Sequence, residues 1–363
     1  MRVTTDKGEA LSFDSRRMLL WIDQLFASDV DKLHIIGQRA LYNLVSHNRS
    51  STSLVEWSIE QCFNPARPRA LQSHFSVLNK VLNAYEDYRV PFWRVLAALL
   101  FLLGNEKNEI RVQSAELLQT LERRREQNSG IQDFDINISD RTTAVYKLAA
   151  YEISARLSRT HQEYAFHIFS LFCNHFRNVQ EDIQRQMVFS ILPWVQVIEL
   201  QVDTNVKPTA QSAMVLANLL EITFKSSGVL HNEVQALWQA LATGHPGNVQ
   251  LVLDFVISLC SDRKDQAVVY YAKQIIVYMA HGTAGAKVVE FLLLKITPKN
   301  MVFPQKEALL FPDDSAGLPY SADLAEILPN VNKTVSLLIY NCTFLLQLAG
   351  ILRFGPSSRC FSC

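Results

Sequence analysis

PFWRVLAALLFLLG, residues 91–104, and the segment that follows it, NEKNEIRVQSAELLQTLE, residues 105–122, decide the fold. The first run, apolar apart from Arg94, reads as a helix with an early Pro. Pro91 suits the start of such a helix, because its fixed φ fits and its missing N–H has no helical partner there. Gly104 is read as the C-terminal stop. A short polar loop, NEKNE, then turns the chain into a second helix carrying Ile110, Ala115, Leu117, Leu118 and Leu121. The connection is short enough to make the two helices antiparallel neighbours.

The same pattern extends in both directions. Upstream, Asp14 can cap a helix with Met18, Leu19, Ile22, Leu25 and Phe26 on one side. A second starts near Asp31 with Leu33, Ile36, Ala40, Leu41 and Leu44. A third covers Ser53–Phe63, and NPARP breaks the chain before a fourth from Arg69 to Glu86. Downstream, helical periodicity covers about 140–158, 161–177, 180–198, 230–242, 246–260, 264–280 and 284–296, with another helix beginning at Pro208. In the stretch 184–200, QRQMVFSILPWVQVIEL, the residues Met187, Ile191, Val195 and Ile198 share a face. Pro193 removes one helical hydrogen bond, so a bend is expected there. The pair at 91–122 resembles a HEAT repeat, an antiparallel helix pair of about 40 residues, with Arg111 placed to serve the inter-repeat turn. The expectation is an all-α fold, an α-solenoid of HEAT/armadillo-like antiparallel helix pairs; a globular all-α bundle is the competing arrangement. No run combines β-branched alternation with hairpin turn signals.

The resulting organisation is a flexible N-terminus at 1–13, helical repeats at 14–126, a polar linker at 127–139 and helical repeats at 140–296. A Pro-containing loop or boundary follows at 297–330, then a divergent tail at 331–363. Within that tail, VSLLIYNCTFLLQLAGIL, residues 335–352, carries no charge. A further core or repeat helix and a membrane helix both fit it; Ser336, Asn341, Thr343 and Gln347 weigh against the membrane.

Lys and Arg total 35, and Asp and Glu total 35, so the net charge is zero. That excludes a protein built mainly to grip nucleic-acid phosphates. The six cysteines are scattered, and three sit among apolar neighbours, which reads as a reducing compartment and not as a disulfide framework. No secretory signal is visible at the N-terminus.

Motifs that carry chemistry are lacking. HGTAGAK, residues 281–287, lacks the Gly-Lys-Ser/Thr ending of a phosphate loop and follows no strand, so it reads as an inter-helix turn. His161, His167 and His175 have no carboxylate or cysteine set to complete a metal site. Cys360 and Cys363 form one C-x-x-C, without the second pair of a zinc site, and Ser362 does not suit a prenylation box. Glu122–Glu126, with three arginines between the glutamates, reads as a solvated helix end. The five tryptophans read as core, with a minority available to line a binding face. No catalytic, cofactor-binding or metal-ligating residue is assigned.

Several blocks, in order, resemble the Furry family of cell-morphogenesis scaffold proteins. They are ILPWVQVIEL (191–200), SAMVLANLLEITFK (212–225), EVQALWQALATGHPGNVQLVLDFVISLC (233–260) and AVVYYAKQIIVYMA (267–280). LLWIDQLF (19–26), GQRALYNLV (37–45), VEWSIEQCF (55–63) and IRVQSAELLQTLE (110–122) fit upstream. The resemblance covers about residues 11–300 and ends near Lys333. It implies a non-enzymatic scaffold in cell morphogenesis and polarised growth, without cofactors, beside an NDR-class protein kinase and its Mob coactivator. It places the protein in the cytoplasm, at the cell cortex or sites of polarised growth, with only indirect membrane contact and no nucleic acid. The family's members are far longer, so this chain is expected to be a segment. The alternative function for such a solenoid is a transport adaptor, importin-like or vesicle-coat-associated.

Overall fold

The computed structural model describes residues 2–4, 10–12, 15–86, 88–126, 143–202, 208–263 and 265–296. Among them run fourteen α-helices. They are α1 (Ser15–Phe26), α2 (Asp31–His47), α3 (Thr52–Gln61), α4 (Pro68–Ala84), α5 (Phe92–Leu102), α6 (Asn108–Glu126) and α7 (Thr143–Thr160). After these come α8 (Ala165–Phe176), α9 (Glu181–Gln196), α10 (Ala210–Ser226), α11 (His231–Gly244), α12 (Asn248–Arg263), α13 (Gln266–Ala280) and α14 (Gly285–Ile296). The fold is all-α and of the α-solenoid class. One addition lies in the segment 1–13. There β1 (Arg2–Thr4) pairs antiparallel with β2 (Ala10–Ser12), Val3 opposite Leu11. Strands of three residues are too short to show a period-2 pattern in sequence.

The chain divides into two compact units, Met1–Leu157 with Leu171–Ser190, and Ser158–Ser170 with Ile191–Cys363. In the first unit the helices pack in pairs, α1 on α2, α3 on α4 and α5 on α6. The pairs join through α2 on α4, α4 on α6 and α3 on α5. That pattern of neighbours is what stacked helix pairs produce. In the second unit α10 to α14 repeat it, with α11 on α13 and α12 on α14.

Helix α5 forms where expected, and Val95 to Leu103 are all buried. Arg111 differs from its expected role between repeats: its Nη1 donates to the carbonyls of Asn105 (2.8 Å) and Glu106 (2.7 Å) in the α5–α6 turn, inside the pair. Its guanidinium lies 4.0 Å over the Tyr146 ring. Gly104 differs from its reading. The cap of α5 is Leu103, in ordinary right-handed geometry, and Gly104 shows no left-handed backbone. It is glycine because a Cβ there would run into the side chain of Gln186. Helix α9 continues through Pro193 and ends three residues later at Gln196, so the missing hydrogen bond falls in its last turn. Met187, Ile191, Val195 and Ile198 are buried as their shared face requires, and Trp194 is buried as well.

The linker at 127–139, the loop at 297–330 and the tail at 331–363 lie outside the described residues, as do the segment 335–352 and the pair Cys360 and Cys363. Among the described residues no helix is long and apolar enough to cross a membrane.

Candidate functional site

The first unit carries a cleft of roughly 370 Å³ lined by Leu19, Leu20, Asp23, Trp57, Gln61 and Arg67. Three pieces of chain build it: α1, α3 and the turn that enters α4. Its polar end is closed on itself. Arg67 Nη1 pairs with Asp23 Oδ1 at 2.8 Å, and Nη2 donates to the Asp23 carbonyl at 3.3 Å. The remaining wall is Leu19, Leu20 and Trp57 with the polar Gln61, and Leu20 stands at its mouth 64% exposed.

Beneath Trp57 lies His74, fully buried. Its ring meets Trp57 and Phe26 edge-on, each at 4.7 Å between centroids. Neither ring nitrogen has a hydrogen-bond partner among the described residues. Burial, with the Arg67 charge adding to it, pushes the His74 pKa down to about 3. The neighbouring His34 is satisfied instead. Its Nε2 donates to the Ser28 carbonyl at 2.7 Å, leaving Nδ1 to accept from the Ser73 hydroxyl at 2.8 Å.

His74 sets a pH dependence. The unfolded chain binds a proton at its ordinary pKa of 6.5, whereas the folded chain does not until about pH 3. Stability is therefore complete above pH 6.5 and falls as pH drops through that window. The His74 contribution to the loss is about 2 kcal/mol at pH 5. Urea denaturation at pH 7 and pH 5 should show a smaller difference for His74→Phe than for the native chain. An identical difference would assign the pH dependence elsewhere.

The other sequence candidates disperse. His161 is buried, stacks on Tyr164 at 5.7 Å and lies 3.6 Å from Glu163. His167 is exposed on α8. His175 stacks on Phe63 at 4.4 Å, and its Nε2 lies 3.1 Å from the carboxylate of Glu60. That contact holds the Glu60 carboxyl below its ordinary range. Among the described residues no three His, Cys, Asp or Glu side chains gather as metal ligands. Residues 281–284 form the turn between α13 and α14, and 285–287 open α14. Cys62, Cys173 and Cys260 are buried free thiols, and burial pushes Cys260 up to about 12.

Two expectations need correction. In the run Glu122–Glu126, Arg124 is no solvated charge. It donates to the carbonyls of Leu82 (2.5 Å) and Asn83 (2.7 Å), closing the C-terminus of α4, and pairs with Glu86 at 3.3 Å. Of the tryptophans, Trp194 and Trp238 are core, but Trp21 is 43% exposed and Trp57 and Trp93 are half-buried. The sequence reading also missed Arg67, seen only as part of a Pro-rich break. Its partner Asp23 stands more than forty residues away, with no local signal to join them.

Residues 28–305 match the family described as the cell morphogenesis central region. The chain is 25% identical over 327 residues to the cell polarity protein mor2 of Schizosaccharomyces pombe, covering 89% of this chain and 15% of that protein. It is 28% identical over 295 residues to the cell morphogenesis protein PAG1 of Saccharomyces cerevisiae, covering 80% of this chain and 12% of that protein. The chain thus spans less than a sixth of the length of either relative.

Proposed function

This chain belongs to the cell morphogenesis central region family, and from that premise we propose that it is a repeat segment of a non-enzymatic scaffold for cell morphogenesis and polarised growth. In this reading it works in the cytoplasm and at the cell cortex, beside an NDR-class kinase and its Mob coactivator. The observation that carries the reading is that the family match includes α2 to α14, thirteen of the fourteen α-helices among the described residues. Successive helix pairs present a long surface on which partners dock side by side, and shared docking raises their effective concentration for one another. The cleft over Trp57 suits that role, since its one ion pair is internal and its free wall is mostly apolar, with Gln61 as a polar contact.

The test is affinity capture with the 363-residue chain as bait, with immunoblots for an NDR-class kinase and for Mob. Recovery of both is expected, and a Leu20→Asp, Trp57→Ala bait tells whether the cleft contributes. Recovery of import or coat factors in their place would point to a transport adaptor. Absence of the kinase and Mob from a folded bait would remove this segment from their docking surface.

A further inference from the structure

We propose that the outer face shared by α2 and α4 docks an acidic segment of a partner protein, one that presents Asp and Glu carboxylates. This docking stands whether or not the kinase or Mob is that partner. The two helices pack on each other and run in the same direction. Asp31 pairs with Arg69 at 3.6 Å, His34 and Gln38 both bond Ser73 at 2.8 and 3.3 Å, and the Tyr42 and Tyr85 hydroxyls meet at 3.5 Å. Their outward sides therefore form one lane within the stack, which owes nothing to either end of it. No Asp or Glu occurs from Lys32 to Val55 or from Gln61 to Tyr85. The lane carries exposed Lys32 and Arg39 on α2 and exposed Lys80 on α4. Among the described residues none of these makes an ion pair or a hydrogen bond. The carboxylates that border the lane are Asp31, which pairs with Arg69, and Glu86, which pairs with Arg124. Glu109 and Glu116 belong to α6, on the far side of α4, and bound the lane there.

Two helical turns separate Lys32 from Arg39, about 10 Å. Neighbouring helix axes lie about 8–10 Å apart, so Lys80 stands at a similar spacing across the lane. These separations are close to the Debye length of about 8 Å at physiological salt, so the fields of the cations overlap over one short segment of surface. Asn43, Gln72 and Asn79 lie among them, and their amides can both donate to and accept from a peptide backbone. Ile35, 49% exposed, adds an apolar contact. Lys32, Arg39 and Lys80 are too few for nucleic acid, where about 6–10 phosphate contacts carry the affinity. They are also fewer than the clusters of about 4–8 Lys and Arg that hold an anionic membrane surface. A short run of carboxylates matches their number and spacing.

The test uses the full chain and a fluorescein-labelled peptide of alternating Glu and Gly, followed by fluorescence anisotropy at low and at physiological salt. Saturable binding is expected. The variant Lys32→Glu, Arg39→Glu, Lys80→Glu should weaken it by about tenfold or more. A control reverses exposed cations elsewhere, Lys147→Glu, Arg159→Glu, Lys287→Glu. It has the same net charge and should bind as the native chain does. An equal loss in the control would show that the peptide responds to total charge, and would overturn the proposal. So would the absence of saturable binding to the native chain. The milder variant Lys32→Gln, Arg39→Gln, Lys80→Gln should keep the native far-ultraviolet circular dichroism and lose an intermediate amount of affinity, which a misfolded chain would not imitate. Native affinity in that variant would again count against the lane. Vesicles of phosphatidylcholine with phosphatidylserine, and single-stranded DNA, are measured alongside. Tighter binding of either, lost in the charge-reversed variant, would assign the lane to lipid or to nucleic acid and overturn the docking of an acidic protein segment.

Discussion

Trp238→Ala is expected to lower the stability of the second unit by about 3–5 kcal/mol. Trp238 is fully buried on α11, and its indole N–H donates to Thr223 Oγ1 on α10 at 2.9 Å. The Thr223 hydroxyl in turn donates to the Leu219 carbonyl at 2.7 Å. Truncation removes the largest side chain of the α10–α11 contact and leaves a cavity that rigid helices close only in part. Trp238→Phe separates the two effects. It keeps much of the ring and loses the N–H bond, while Thr223 still donates to its own helix, so a loss of about 1–2 kcal/mol is expected. Chemical denaturation followed by far-ultraviolet circular dichroism measures both. Equal losses for the two variants would show that the hydrogen bond, and not the packed volume, holds α11 to α10.

Asn248→Ala is expected to cost about 3 kcal/mol, a large effect for so small a change in volume. Asn248 opens α12 and is completely buried. Its Oδ1 accepts from the Leu200 N–H at 2.9 Å, and its Nδ2 donates to the carbonyls of Ile198 and Leu241, each at 2.8 Å. One amide therefore serves the chain leaving α9 and the end of α11. Close by, a Cβ on Gly244 would run into the Gln196 carbonyl, so the backbones there are already in contact and cannot close over a missing side chain. Alanine would leave one N–H and two carbonyls buried without that partner. Asn248→Asp should cost more at pH 7 than at pH 4, because only the protonated carboxyl still has a hydrogen to donate. A pH-independent cost for that variant would mean that water reaches the site.

Some of this was legible in the sequence and some was not, and particular residues show why. Helix α5 was readable because nine buried positions in a row leave no amphipathic ambiguity. Arg111 was marked for a turn between repeats, whereas its partners, the carbonyls of Asn105 and Glu106, lie in the turn within the pair. Arg124 was not readable: it looked like one of three solvated arginines, and its acceptors sit on α4, about forty residues earlier. Trp21 was placed in the core by its type, yet it stands exposed on α1. Gly104 was correctly marked as special for the wrong reason. A glycine after a helix suggests a left-handed cap, whereas here it makes room for Gln186.

By itself, then, the sequence determined the all-α repeat architecture, the place of nearly every helix and the family, because helix periodicity, turn chemistry and block order are all local properties of the chain. Only the tertiary structure decided the cleft over Trp57, the neutral His74 beneath it and the Asn248 clasp. Each of these depends on which side chains from distant segments meet and how little water reaches them. In a helix stack the spacing of apolar residues says that a face is buried, but the neighbouring pair decides against what.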